Sequence, residues 1–348
     1  MCAIPLLALL VSILCQAAFL SPVHAEAPGG LSIRSFGYRL VLNQPRAAAV
    51  ASLARMPHDL LVIDYSPTGR RTDRFTRAEV ARIAAGPRGR RLVAAYISIG
   101  EASEFRGQPV WDPAWTTTGK ARGKLTKAAP AWLGPVNPKW PESRKVRFWH
   151  KDWQRRLFNA TGTGWLDRIV GQGFDAAYLD IVLAYHFWHK REGHDARRMA
   201  RAMMTLIVDM TAHARKTNPR FFTIPQNGAW LMNDAGVSNA RPGTPDHALK
   251  RRFLDAIGAI GAEDVYFRGS ADHDNRFAPD RSRIDRLRRD YACNGKPVLV
   301  IDYLTEPAKV ARFLLAARRD GFVPCAAPDR NLARSCPAVA VKPKPTCR

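Results

Sequence analysis

The sequence predicts an α/β fold of the (β/α)8 TIM barrel type in a single domain, on three observations. Eight short apolar or β-branched runs follow one another along the chain, helical patterns separate them, and acid or amide residues fall at the ends of six of the runs. Strands buried on both faces and joined through helices pair in parallel. Eight such units favour a closed barrel. The doubly wound alternative needs a glycine-rich phosphate turn after its first strand, and neither GxGxxG nor a Walker sequence stands there.

The runs are FGYRLVL (36–42), DLLVIDYS (59–66), RLVAAYISIG (91–100), FDAAYLDIV (174–182), RFFTIPQN (220–227), LDAIGAIGAE (254–263), KPVLVIDYL (296–304) and GFVPCAA (321–327). Between them, segments such as TRAEVARIAAG, HDARRMARAMMTLIVDMTAHARK and EPAKVARFLLAARRDG space their apolar residues as helices do. Several open on Thr, Asp or Pro and close on Gly, the residues of helix ends. One connection breaks the rhythm. Residues 102–150, between the third strand and the third helix, carry Trp111, Trp115, Trp132, Trp140 and Trp149 among many Pro and Gly. A connection that long is functional or disordered, and its aromatic load argues against disorder.

The ends of the chain set the compartment. A continuous apolar stretch followed by SPVHA reads as a secretory signal over residues 1–25, cut after Ala25, although no Lys or Arg precedes it; an uncleaved membrane anchor is the alternative. Cys15 lacks the small preceding residues of a lipidation site. The barrel is expected over 26–330 and a Pro, Lys and Cys-containing tail over 331–348. The expected location is secreted, periplasmic or extracellular, with no membrane contact once the signal is removed. Cys293, Cys325, Cys336 and Cys347 remain, an even number in an oxidising compartment, with three pairings open. No Cys or His spacing suggests zinc, so these read as structural disulfides.

The net charge is +24, from 54 Lys and Arg against 30 Asp and Glu. It permits nonspecific contact with polyanions. The basic residues are spread over helices such as DRSRIDRLRRDYA rather than gathered into a nucleic-acid motif, so no specific nucleic-acid partner is implied.

In a barrel of this type the working face lies at the C-terminal ends of the strands. Asp64, Glu101, Asp180, Gln226 with Asn227, Glu263 and Asp302 all fall there, beside Tyr65, Tyr96, Tyr178 and Tyr303. Any one of these acids reads equally well as a helix cap or an arginine partner. Jointly they resemble a site that binds hydroxyl groups and protonates an ether oxygen. Glycoside hydrolysis needs one protonated carboxyl group as acid and one carboxylate as nucleophile or base, and crowding like charges raises one pKa to that end. Sugar rings stack on aromatics, which makes the tryptophans of the 102–150 active-site loop, Trp188 and Trp230 candidate subsite walls, two or three of them serving as such. SADHDNR (270–276) reads as a solvated loop rather than a calcium loop, since it lacks the glycine and distal Glu of an EF-hand, and His186 with His189 makes a poor zinc site. No metal or cofactor is called for.

The stretches AAYISIGEASEFR, WLGPVNPKWPE, GFDAAYLDIV, IPQNG, IGAIGAEDVYF and KPVLVIDYL, in that order, resemble the bacterial branch of glycoside hydrolase family 114, the endo-alpha-1,4-polygalactosaminidase-like proteins. The resemblance spans roughly residues 35–329. It implies a secreted, cofactor-free barrel hydrolase acting on galactosamine-containing polysaccharide, with Asp180 and Glu263 as the catalytic pair and Asp264 a near rival of Glu263. The expected roles are Asp180 as nucleophile or base and Glu263 as acid. Asp64, Tyr65, Tyr96, Glu101, Trp188, Gln226, Asn227, Trp230, Asp302 and Tyr303 then stand as substrate-binding or pKa-tuning neighbours. The alternative is a carbohydrate-binding or cell-surface barrel without turnover; a charge-driven polyanion binder of the envelope is a third. Deacetylated galactosaminan is cationic and a protein of this charge should repel it, so either the cleft is locally acidic or the substrate is acetylated, neutral or anionic.

Overall fold

The computed structural model of the chain describes residues 32–42, 44–107, 109–341 and 347. The expected signal segment and residues 342–346 lie outside the described residues. Among those described, no helix is long and apolar enough to cross a membrane.

Eight parallel strands build the body: β1 (Phe36–Arg39), β2 (Leu60–Ile63), β3 (Leu92–Ser98), β4 (Ala176–Asp180), β5 (Phe222–Pro225), β6 (Ile260–Glu263), β7 (Val298–Tyr303) and β8 (Val323–Ala327). They run in the order of a TIM barrel. One hydrogen-bonded ladder joins β1 through β5 and another joins β6 through β8. Two isolated bridges, Thr223 with Ile257 and Gln226 with Gly261, link the two ladders. The expected closed ring is not complete: among the described residues no ladder pairs β8 with β1. Across that seam the backbone N–H of Leu40 donates to Leu332 O (3.0 Å), so chain that follows β8 satisfies the edge of β1.

Strand side chains alternate between two faces, and here the alternation separates two cores. Tyr38, Val62, Ala94, Tyr178, Ile224 and Ile301 point into the barrel. Leu61, Ile63, Val93, Ala177, Leu179 and Val300 point outward against the helices. Each fully buried large apolar side chain contributes about 1.5–3 kcal/mol, which is why both faces of every strand read as apolar.

The helices begin where their capping residues say. Thr76 and Glu79 form a capping box on α1 (Arg77–Ala85), and Asp195 accepts from the Arg198 N–H to open α2 (Ala196–Arg215), whose Met199, Met203, Ile207 and Met210 face the core. Thr244 and Pro245 start α3 (Pro245–Ala256). This corrects the sixth predicted strand, because residues 254–256 finish a helix and β6 begins only at Ile260. Between them Gly258 leaves room for the Phe222 ring, which a Cβ there would strike.

The long Trp-bearing connection contains structure the sequence reading left as loop. Glu101–Ser103, Ser143–Val146 and Leu133–Val136 form a three-stranded antiparallel sheet. Trp111, Trp115, Trp132 and Trp153 stack in series with ring centroids 5.6, 5.1 and 4.9 Å apart. All four are buried, and the buried Arg144 guanidinium donates to the carbonyls of Ala121, Gly123 and Gly134. The tryptophans therefore stabilise the insertion itself; Trp140, 48% exposed, is the one that faces solvent.

Of the three cysteine pairings, the structure has Cys293–Cys347 and Cys325–Cys336. Both fasten the C-terminal tail, one to a turn before β7 and one to β8.

Candidate active site

Two residues past each inward-facing position comes the next inward-facing one, and this parity decides which strand-end groups enter the barrel mouth. Continuing from Val62, Tyr178, Ile224, Gly261 and Ile301 brings in Asp64, Asp180, Gln226, Glu263 and Tyr303. Asp302 is out of phase. It lies on the outer face, fully buried, where its carboxylate accepts the backbone N–H groups of Val265, Tyr266 and Phe267 at 2.9, 3.0 and 3.3 Å. The expectation that Asp302 contacts substrate is corrected: it holds the turn that follows β6.

Asp180 and Glu263 face the mouth, both partly exposed. The Tyr96 hydroxyl donates to one oxygen of Asp180 (2.7 Å) and the Ile181 N–H to the other (2.7 Å). Burial, and then the charge of Glu263, pushes the Asp180 carboxyl up to about 6 from its ordinary value of 3.8. Glu263 accepts from the Asn227 amide (2.9 Å) and from the Tyr303 hydroxyl. Asn227 is itself fixed, since its carbonyl oxygen accepts from Glu263 N–H (2.9 Å) and Arg283 (2.6 Å). Neither Asp180 nor Glu263 makes an ion pair among the described residues.

Tyr178 lies between these acids in charge as well as in space. Burial and the charges of Glu263 and Asp180 raise its hydroxyl well above the usual phenol range, and that buried hydroxyl has no hydrogen-bond partner among the described residues. A Cβ on Gly261 would collide with it, so the glycine on β6 is what lets the ring extend across the barrel. Tyr38 completes the ring of phenols, donating to Gln226 Oε1 at 3.3 Å.

Backbone strain gathers at the same edge. Ile181 (φ 60°), Asn227 (φ 60°) and Asp264 (φ 51°), just past the ends of three successive strands, are non-glycine residues in the left-handed region. Each costs about 1–3 kcal/mol, and such residues cluster where a site must hold its groups in place.

The remaining acids are compensated. Asp64 is buried against Arg106 (2.7 Å), whose guanidinium also lies over Tyr65, Tyr96, Phe105 and Trp165. Tyr65 is buried and donates to Gly69 O (3.1 Å). Glu101 pairs with Lys145 and accepts from Asn137 (2.8 Å). Asp264 binds Arg330 through both oxygens at 2.9 and 3.0 Å, which distinguishes it from its neighbour Glu263. Trp188 requires a second correction: it is fully buried on the outer side, donating to Val146 O (2.7 Å), and no sugar can reach it. Trp230 is half-buried under the Arg286 guanidinium.

Sequence reading missed Tyr38, Arg106, Lys145, Arg283 and Arg330. Tyr38 was accessible to it, since it stands two residues after Phe36 on an inward parity; the basic residues come from the inserted sheet (Lys145), a helix (Arg283) and connecting segments (Arg106, Arg330), outside the barrel strands whose period was read. Among the described residues no group of three or more His, Cys, Asp or Glu is arranged to hold a metal ion. Asp274 of the SADHDNR loop instead accepts the N–H groups of Thr305 (2.9 Å) and Glu306 (3.1 Å) at the start of helix Pro307–Arg319.

The fold and the mouth together define a TIM-type α/β barrel with a carboxylate pair, free of direct ion pairs among the described residues, at the C-terminal ends of two strands. An uncharacterized protein of Deinococcus radiodurans is 30% identical over 302 residues, 86% of this chain and 82% of its own, and the chain belongs to the same family. An uncharacterized protein of Methanocaldococcus jannaschii is 29% identical over 83% of this chain and 75% of its own. No described family profile matches the sequence. Among solved structures, the glycoside hydrolase domain of PelA from Pseudomonas aeruginosa superposes with a TM-score of 0.53 at 20% identity, covering 89% of this chain and 99% of that one. This likeness establishes a shared fold.

Proposed function

We propose that the protein is a glycoside hydrolase that cleaves a polysaccharide between Asp180 and Glu263. The observation that carries this reading is the contrast among the mouth acids, where only these two face the barrel axis without an ion pair. The likeness to a glycoside hydrolase domain supports it. Burial beside Glu263 favours Asp180 as the member that keeps a proton and acts as acid, with Glu263, held by Tyr303 and Asn227, as nucleophile or base. That order reverses the one expected from sequence.

The family 114 resemblance makes galactosamine-containing polysaccharide the substrate of choice. Two acids without a direct ion pair supply negative charge at the mouth for an ammonium-bearing sugar on a strongly basic protein. Secretion follows from the signal segment and agrees with two disulfides. The test is reducing-end release from galactosaminan, acetylated and deacetylated, by the wild type beside Asp180→Asn. Release that vanishes in a folded variant is the expected result; release that persists sinks the assignment, and binding without cleavage by the wild type points to a carbohydrate-binding barrel.

A further inference from the structure

At the opposite end of the barrel, where β3, β4 and β5 begin, lies a cavity of about 580 Å³ lined by Arg77, Arg90, Arg220, Thr217 and Asn218 over a floor that includes Leu92 and Phe222. Its three guanidiniums are not equivalent. Arg90 is paired with Asp175, whose other oxygen accepts the Val93 N–H (2.9 Å), so this pair is neutral and built into the strands. Arg77 gives one long hydrogen bond, to Gly171 O at 3.4 Å. The Arg220 side chain makes no hydrogen bond or ion pair with any described residue; only its backbone N–H is engaged, by Asn218 Oδ1 (3.2 Å). Two positive charges thus share one concavity without a protein counter-ion. Both side chains are exposed at the rim of a half-open pocket, over a floor in which Leu92 and Phe222 are buried.

We propose that this cavity is a second ligand site, for a phosphate monoester carried on a sugar-sized body. Charge selects the head group. A phosphate monoester is close to a dianion at neutral pH, with three acceptor oxygens for guanidinium donors, and matches the two unpaired charges. Volume selects the body, since the cavity is far larger than a bare phosphate and falls within the roughly 300–1,000 Å³ of small-molecule sites. The site is independent of Asp180 and Glu263, which lie at the other ends of the strands.

The experiment is calorimetric titration of the full chain, in a buffer free of phosphate, with glucose 6-phosphate, inorganic phosphate and glucose. Expected are one saturable site for glucose 6-phosphate, weaker binding of inorganic phosphate and none of glucose. Arg220→Ala and Arg77→Ala should each weaken the ester at least tenfold with unchanged melting temperature, whereas Arg251→Ala, an exposed arginine on another helix, should leave it unaltered. Absence of saturable binding, or an equal loss in Arg251→Ala, overturns the site. Equal affinity for ester and inorganic phosphate overturns the sugar-sized body.

Discussion

Acids stand in two kinds of surroundings around the barrel mouth. On one side Asp64 meets Arg106, Glu101 meets Lys145, and Asp302 meets a row of backbone N–H groups. On the other, Asp180 and Glu263 meet only phenol hydroxyls, an amide and one N–H. All occupy strand ends, so position alone does not tell them apart. The surroundings do: Asp64 and Glu101 are each tied to a cation and Asp302 to three N–H groups away from the barrel axis, whereas Asp180, whose carboxyl feels the charge of Glu263, faces the axis with no ion pair among the described residues.

The sharpest way to break this contrast is to remove each kind. Asp180→Asn and Glu263→Gln are expected to lower glycosidase turnover by about a thousandfold or more with the fold intact by circular dichroism. Asp302→Asn should do the reverse, destabilising the protein by about 1–3 kcal/mol in urea melts while turnover per folded molecule stays within about twofold, because the amide keeps one acceptor oxygen but sets an NH2 group against the remaining buried N–H donors. If Asp302→Asn abolishes turnover in a fully folded protein, the two classes merge.

A pH titration sharpens the same distinction without any substrate. The folded-state pKa of Asp180 is raised to about 6, above its unfolded value, so between pH 4 and 6 the folded protein binds the extra proton. Stability contributed by this group is therefore present at low pH and lost as pH rises through about 6, and Asp180→Asn should remove that slope and stabilise the protein at pH 7 by about 1–3 kcal/mol. A variant that is less stable than wild type at pH 7 contradicts it. Tyr178→Phe should behave alike on a smaller scale, gaining up to about 1 kcal/mol by deleting a buried hydroxyl without a partner and losing about tenfold in turnover. Smallest is Arg330→Ala. It frees Asp264 and uncovers the Tyr303 ring (4.2 Å), so a shift of the pH–rate profile with at most about a fivefold loss of turnover is expected, and an unchanged profile would place Arg330 outside the site's influence.

The eight strands were legible because each is apolar on both faces, and Asp180 and Glu263 because each follows such a run. Asp302 was misassigned within reach of correction: counting by twos from Val300 would have set it on the outer face, with Tyr303 inward. Trp188 was a harder case. Its burial depends on the sheet inserted at 101–146, whose short strands carry little periodicity and whose existence the tryptophan content suggested only as a packed loop. The basic partners of Asp64, Glu101 and Asp264 lie 42, 44 and 66 residues away in sequence, and no local rule links such pairs.

The unladdered seam between β8 and β1 has a consequence for how the barrel breathes. Within either ladder, opening the wall breaks a run of strand hydrogen bonds, whereas at this seam residues 328–335, closed into a loop by the Cys325–Cys336 disulfide and tied to Asp264 through Arg330, lie against β1. In hydrogen exchange the Leu40 amide, bonded to Leu332, should report the lifting directly. Reduction would remove that covalent closure, and exchange at Leu40 should then quicken ahead of exchange in the laddered strands.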